Sequence, residues 1–308
     1  MAELLTVGLG RALLAGLIAI AGLAALALRI RAVRGTTLVA PSAWSIVSLL
    51  SVCLAETAGT WPGDSATGSS FVELRFAAAM STFCPMTALL GARRPQDRGW
   101  QWIVLSLWAI LSLPSIEWLL FGGTQEIHAA RFWFLGILTS VGALNGVATR
   151  FWPASVLFCL GQAMLLSPYL PAISSALPTA TGPLWGIGLL VTAWVLPAIG
   201  WPRSSTAGSR LDRVWLDFRD AYGAVWGLRI VERMNAAASV PGWPARLGWR
   251  GFRLRQTGTP IAPWPEGVED ALRTLLRRFV SEDWLAARLG PSVGSSHESK
   301  PSSKDAVA

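Results

Sequence analysis

Residues 12–28 read ALLAGLIAIAGLAALAL, and residues 29–34 follow as RIRAVR. The seventeen residues from Ala12 to Leu28 carry no charge and no polar side-chain atom, and Arg29, Arg31 and Arg34 close the run. At about 1.5 Å of rise per residue, a helix of this length is near the lower limit for crossing a ~30 Å hydrocarbon core. Gly8, Leu9 and Gly10 extend it, and the stems of Arg11 and Arg29 can snorkel. The competing reading is a cleaved signal peptide, since Ala25-Leu26-Ala27 resembles a cleavage site. Against it, the apolar core is too long, Glu3 precedes it, and the positive charge follows the run instead of leading it. The stretch therefore sets the class as all-α: a polytopic membrane helical bundle.

The same criterion gives seven spans, at about 9–29, 38–56, 71–90, 100–121, 132–149, 151–170 and 184–201. Pro41 lies in the first turn of the second span, where a proline is tolerated. Pro85 should kink the third. The turn at Arg150–Pro153 is so short that spans five and six should form an antiparallel helical hairpin. Thr57–Ser70 and Ile173–Thr181 read as loops.

Charge is partitioned along the chain. Residues 1–200 hold 10 of the 26 basic and 7 of the 18 acidic residues, and residues 201–308 hold the other 16 and 11. This asymmetry divides the chain into a transmembrane bundle (1–201), a charged region (202–290) and a Ser-rich tail (291–308) expected to be disordered. Seventeen tryptophans suit a chain with two membrane interfaces. With the N-terminus outside, the inner ends hold Arg29, Arg31, Arg34, Arg93, Arg94, Arg98, Arg150 and Arg203. The outer ends hold only Arg11, Arg75 and Arg131. Eight against three favours a cytoplasmic C-terminus, in a cytoplasmic (inner) membrane.

In the charged region, Leu211, Val214, Trp215, Phe218, Tyr222 and Val225 recur at helical spacing, with Arg213 and Asp217 as an i,i+4 pair. Val268–Leu289 repeats the pattern, with Glu269 and Arg273 paired. Between them Trp243, Trp249, Phe252 and Trp264 alternate with Arg246, Arg250, Arg253 and Arg255, and Arg253–Arg255 is a candidate short strand. This Trp/Arg segment either lies on the inner leaflet or forms the core of a small domain. The partners implied are the bilayer and, at the tail, anionic lipid headgroups or a cytoplasmic protein. The tail's surplus of +5 over 108 residues is too dilute for nucleic acid.

No motif names a reaction. His-Glu-x-x-His, Gly-x-Ser-x-Gly and phosphate-binding glycine loops are absent, and so is any cofactor signature. The first lysine is Lys300, which excludes a Schiff base on a membrane helix. Cys53, Cys84 and Cys159 lie in apolar runs without metal-ligand spacing. One candidate group remains at the outer ends: Glu56, Glu73, Arg75, Glu117, His128 and Arg131. A carboxylate at a helix centre costs roughly 2.5–3.5 kcal/mol on insertion scales, so Glu117 should face the bundle and find Arg75 or His128. The set reads either as an outward pocket or as interfacial charges that pin helix ends. A second group, Gly142, Asn145 and Gly146, forms a small-xxx-small pattern in span five, with Gln162 of span six as the expected partner of Asn145. Three functions follow: a non-enzymatic membrane anchor or sensor, a transporter or channel component, and an intramembrane enzyme. Oligomeric state is left open.

Overall fold

The computed structural model describes residues 2–58, 68–121, 129–169, 182–202, 209–239, 242–254, 265 and 267–290. Glu126, His128, Arg203, Arg255 and Trp264 lie outside these residues. So do 59–67 of the first expected loop, the second loop at 173–181 and the tail from 291. The described residues are about 82% helical, all-α apart from one small hairpin among them.

The N-terminal helices are α1 (Ala2–Val33), α2 (Val39–Ala58), α3 (Gly68–Ser81), α4 (Cys84–Leu90), α5 (Asp97–Phe121), α6 (Ala129–Val147), α7 (Trp152–Leu166) and α8 (Gly182–Ala198). Among the described residues, four helices are long and apolar enough to cross a membrane: Leu9–Val33 of α1, α2, α5 and α6. The other expected spans are shorter than the sequence suggests. α8 has 17 residues and α7 only 15, and a helix as short as α7 reaches only about 22 Å.

The third expected span is two helices, and proline chemistry accounts for the break. Pro85 has no N–H for the carbonyl of Ser81, four residues back. Ser48 Oγ on α2 donates to that oxygen instead, at 2.6 Å. The carbonyl of Thr82, also released by the break, accepts from Gln162 Nε2 at 3.2 Å.

The bundle core gathers Leu49, Phe76, Met80, Leu165, Ile187 and Leu190. α7 and α8 cross closely because Gly161 and Gly186 face each other: a Cβ on either would lie 3.0 Å from the other's carbonyl oxygen. Outward, Leu13, Leu17 and Ile20 of α1, Trp102 and Ile110 of α5, and Trp133, Ile137 and Leu144 of α6 are exposed. Apolar surface on this scale suits hydrocarbon better than water.

The C-terminal region is a folded unit. It comprises α9 (Arg210–Ser239), β1 (Ala245–Gly248), β2 (Gly251–Leu254), α10 (Val268–Leu276) and α11 (Glu282–Leu289). β1 and β2 are antiparallel, with Leu247 opposite Phe252. The expected strand at Arg253–Arg255 overlaps β2 at Arg253 and Leu254, and β2 begins earlier, at Gly251. Asn235 pins the hairpin to α9, accepting from Leu247 N and donating to Leu247 O, both at 2.9 Å. Trp215, Phe218, Tyr222 and Trp226 line the buried stripe of α9, with Trp226 continuing it where the spacing predicts Val225. Phe218, Tyr222 and Trp226 pack edge to face against Phe279, with centroids 4.9–5.3 Å apart.

The expected helix Val268–Leu289 is also two. Ser281 interrupts it, capping α11 by accepting from Trp284 N at 3.3 Å. Its own N–H donates to Gly35 O at 2.6 Å. The Glu269–Arg273 pair forms at 2.7 Å. The Arg213–Asp217 pair does not; Asp217 turns to Arg288 at 3.7 Å, across to α11.

The C-terminal unit sits on one end of the bundle. Thr37 N donates to Phe279 O at 2.9 Å and Arg94 N to Arg278 O at 2.8 Å. Trp249 Nε1 donates to Ala148 O at 2.9 Å. The α1–α2, α4–α5 and α6–α7 connections therefore all lie at this tail-side end. Val33, Leu38 and Ala92 join the core of the tail. In its described part the Trp/Arg segment packs as a small folded domain would: Phe252 is buried, Trp243 packs on the core, and Trp249 is tied to the bundle.

Tyr222 closes the seam. Its hydroxyl donates to Phe279 O at 2.8 Å and lies 3.1 Å from Thr37 Oγ1, which donates to Ala92 O at 2.7 Å. Burial pushes the phenol from 10.0 up to about 12, with hydrogen bonding to Thr37 pulling the other way. A folded-state value above the unfolded one means that this stability is intact below pH 10 and is lost as pH rises through 12. Thermal unfolding in detergent should show this loss, and Tyr222→Phe should remove that part of it. The variant should also be less stable at neutral pH by about 1–2 kcal/mol, because the buried Phe279 carbonyl loses its side-chain donor.

Candidate functional site

The end of the bundle opposite the tail holds a buried charge cluster. Glu56, near the C-terminus of α2, is 2% exposed. One carboxylate oxygen accepts from Arg11 of α1 at 2.6 Å, and the other lies 3.3 Å from Arg75 of α3. The second contact is poorly aligned for a hydrogen bond and acts mainly through charge. Two guanidinium groups, with side chains 30% and 29% exposed, thus hold one carboxylate. A buried carboxylate needs such neutralisation.

Glu73 lies two residues before Arg75 on α3. It is 5% exposed, and one of its carboxylate oxygens lacks a hydrogen-bond partner among the described residues. Trp108 Nε1 donates to Ala77 O at 3.0 Å, which fixes the register of antiparallel α3 and α5. Moving one turn along each helix from that contact brings Glu73 and Ser112 to the same depth. The Ser112 hydroxyl is likewise buried without a described partner.

The other described members of the expected outer group, Glu117 and Arg131, do not join the cluster. Glu117 is exposed on α5 and makes no ion pair with a described residue, so it does not face the bundle as its depth in the sequence suggests. Two residues before it, Ser115 takes the buried position, and Pro114 beside it is also buried. Arg131 is half-buried at the start of α6 and pairs with none of the set among the described residues. His128 falls outside the described residues. Arg11 is the member that sequence reasoning misses. The sequence places it at this end as a flanking charge, but the 45-residue separation from Glu56 hides the contact.

The second group is at the tail-side end. Gly146 packs against Ser155 of α7, so the small-residue pattern serves the α6–α7 hairpin within one chain. Gln162 does not meet Asn145, because its amide is engaged by Thr82. Asn145 instead accepts from Val225 N of α9 at 2.9 Å. That N–H is available because α9 breaks at Gly223, where φ is +80°. A Cβ at Gly223 would collide with the Asn145 amide, so the position requires glycine on both counts. Beside it, Asp220 is held by Arg219 at 2.6 Å and Arg150 at 3.5 Å. Arg219 also donates to Trp249 O at 2.7 Å.

A cavity of about 220 Å³ lies next to this seam, lined by Arg29, Met86, Gly142, Asn145, Gln162 and Asp220 among others. Ligand sites run from about 300 Å³ upward, so it is small for one. Among the described residues no three His, Cys, Asp or Glu side chains gather as metal ligands would. Comparison with protein-family models, curated proteins and solved structures returns no match.

Glu56→Gln should lower the unfolding midpoint, because Arg11 and Arg75 lose their shared anion; the expected cost is about 1–3 kcal/mol, given their partial exposure. Glu117→Gln should leave the midpoint unchanged. Thermal unfolding of both variants in detergent, against wild type, reads the difference.

Proposed function

We propose that the chain is a non-enzymatic polytopic membrane protein whose seven-span bundle holds, and transmits its state to, a folded cytoplasmic C-terminal unit. The observation that carries this reading is the seam between Asn145 and α9. A polar side chain from the bundle completes a backbone hydrogen bond at a break in the tail's longest helix. A tail that was merely tethered would need no such contact. The reading is supported further by the three connections gathered under the tail, and by the described arginines of the positive-inside count, Arg29, Arg31, Arg34, Arg93, Arg94, Arg98 and Arg150, which lie in or beside those connections.

The four long apolar helices among the described residues support the membrane location. The shorter α3, α4, α7 and α8 complete seven crossings if the bilayer thins locally or flanking residues snorkel. The C-terminal unit offers its outer faces to a cytoplasmic protein or to the membrane surface.

A transporter or channel component is the second reading, and Glu73 favours it as a buried carboxylate with an oxygen unpartnered among the described residues. The exposed position of Glu117 removes the deepest carboxylate from that pathway, and Asn145 and Gln162 are occupied in packing. The outer cluster therefore fits better as a lock on the ends of α1, α2 and α3.

A reporter fused after Gly290 should score as cytoplasmic. In the same membranes, Asn145→Leu should insert normally but raise amide exchange around Val225 about tenfold, as expected for the loss of one hydrogen bond worth about 1–1.5 kcal/mol. A reporter scoring on the opposite side would overturn the orientation, and unchanged exchange would overturn the coupling.

A further inference from the structure

Four arginines converge at the junction of bundle and tail. Arg93 comes from the α4–α5 connection, Arg229 and Arg233 from successive turns of α9, and Arg278 from just beyond the end of α10. They surround a small pocket of about 30 Å³ floored by apolar side chains, including Trp226 and Phe279. Among the described residues, no acidic side chain lines it. None of the four arginines is in an ion pair with a described residue.

Arg93 is half-buried, and Arg229, Arg233 and Arg278 are exposed around the rim. Arg229 also lies over the Trp226 ring, 5.4 Å from its centroid. Like charges gathered around one point repel, and the repulsion is relieved when an anion enters. Guanidinium forks suit the paired oxygens of a phosphate. A space of this size holds about one or two waters, so only the tip of a ligand enters, with the rest outside.

Position selects the source of that phosphate. Arg93 lies shortly after α4, and two further exposed arginines follow, Arg94 in the same connection and Arg98 in the first turn of α5. Trp226 Nε1 donates to Leu89 O at 3.0 Å, which holds the pocket against the tail-side end of α4. Leu228, next to Arg229, is 61% exposed. An apolar side chain beside unpaired arginines at the end of membrane helices matches the boundary between headgroups and acyl chains.

We propose that Arg93, Arg229, Arg233 and Arg278 form a binding site for the phosphate of an anionic phospholipid headgroup in the inner leaflet, clamping the C-terminal unit against the membrane surface. This rests on the membrane-spanning reading above and adds a lipid-dependent hold on the tail.

The test uses the full-length chain in phosphatidylcholine nanodiscs, doped with increasing phosphatidylglycerol, with the thermal midpoint as readout. Phosphatidylglycerol should raise the midpoint. The double variant Arg229→Gln/Arg233→Gln should need more of it, by about fivefold for each arginine removed. The control Arg246→Gln/Arg250→Gln loses the same charge on the hairpin and should stay within about twofold of wild type. If the glutamine pair proves unstable in pure phosphatidylcholine, Arg229→Lys/Arg233→Lys keeps the charge and should recover most of the response. Equal weakening by the hairpin control would overturn the proposal, since diffuse charge would then explain the binding. So would an equal midpoint rise from millimolar inorganic phosphate in undoped discs, or a wild type indifferent to phosphatidylglycerol. The reporter after Gly290 scores membrane orientation independently, so a failure of the lipid site and a failure of the topology give different results.

Discussion

The structure depends on a polar seam that must stay dry. At its centre the Tyr222 hydroxyl joins Phe279 O of the C-terminal unit to Thr37 Oγ1, which in turn reaches Ala92 O. Four segments from distant parts of the sequence thus meet at one buried hydroxyl pair. Each group there costs more unpaired than it contributes paired. The seam therefore acts as an all-or-nothing contact, and it is what makes the bundle and the tail one body. The apolar rings around it, Phe218, Trp226 and Phe279, exclude water and sharpen that constraint.

The two ends of the bundle are built on different principles. The far end closes with charge: Glu56 ties α1, α2 and α3 together through Arg11 and Arg75. The tail-side end closes with backbone hydrogen bonds between loops, and with Asn145 and Asp220 accepting across the junction. Glycine permits the second arrangement at Gly223. Close approach permits the bundle itself at Gly161 and Gly186, where neither helix carries a side chain between the backbones.

Much of this is readable from the sequence, and the failures have physical causes. Apolar runs locate the helices because hydrocarbon demands them, and the arginine count groups the connections that the tail covers. Pro85 announces the break in the third span. The periodicity of α9 gives its buried stripe nearly residue by residue. What escapes depends on tertiary partners. Ser281 reads as one more helical residue until Gly35 O claims its N–H. Gly161 and Gly186 sit in different helices and form no spacing motif. Glu117 looks deep when depth is counted along the chain; which way a helix turns is set by its neighbours, and α5 presents Pro114 and Ser115 inward instead. Asn145 stands out in the sequence as a polar contact, but its partner comes from the tail, 80 residues away.

The docking of tail on bundle is most directly tested at Thr36 and Val280, which face each other as an isolated antiparallel bridge between the α1–α2 connection and the α10–α11 turn. The flanking bonds, Thr37 N to Phe279 O and Ser281 N to Gly35 O, make this a non-hydrogen-bonded pair. Such pairs have Cα atoms about 4.5 Å apart, within disulfide range. With Cys53, Cys84 and Cys159 replaced by serine or alanine, Thr36→Cys/Val280→Cys should form an intramolecular disulfide in native membranes under mild oxidation. Two thiols that remain free and react fully with maleimide under those conditions would contradict the account.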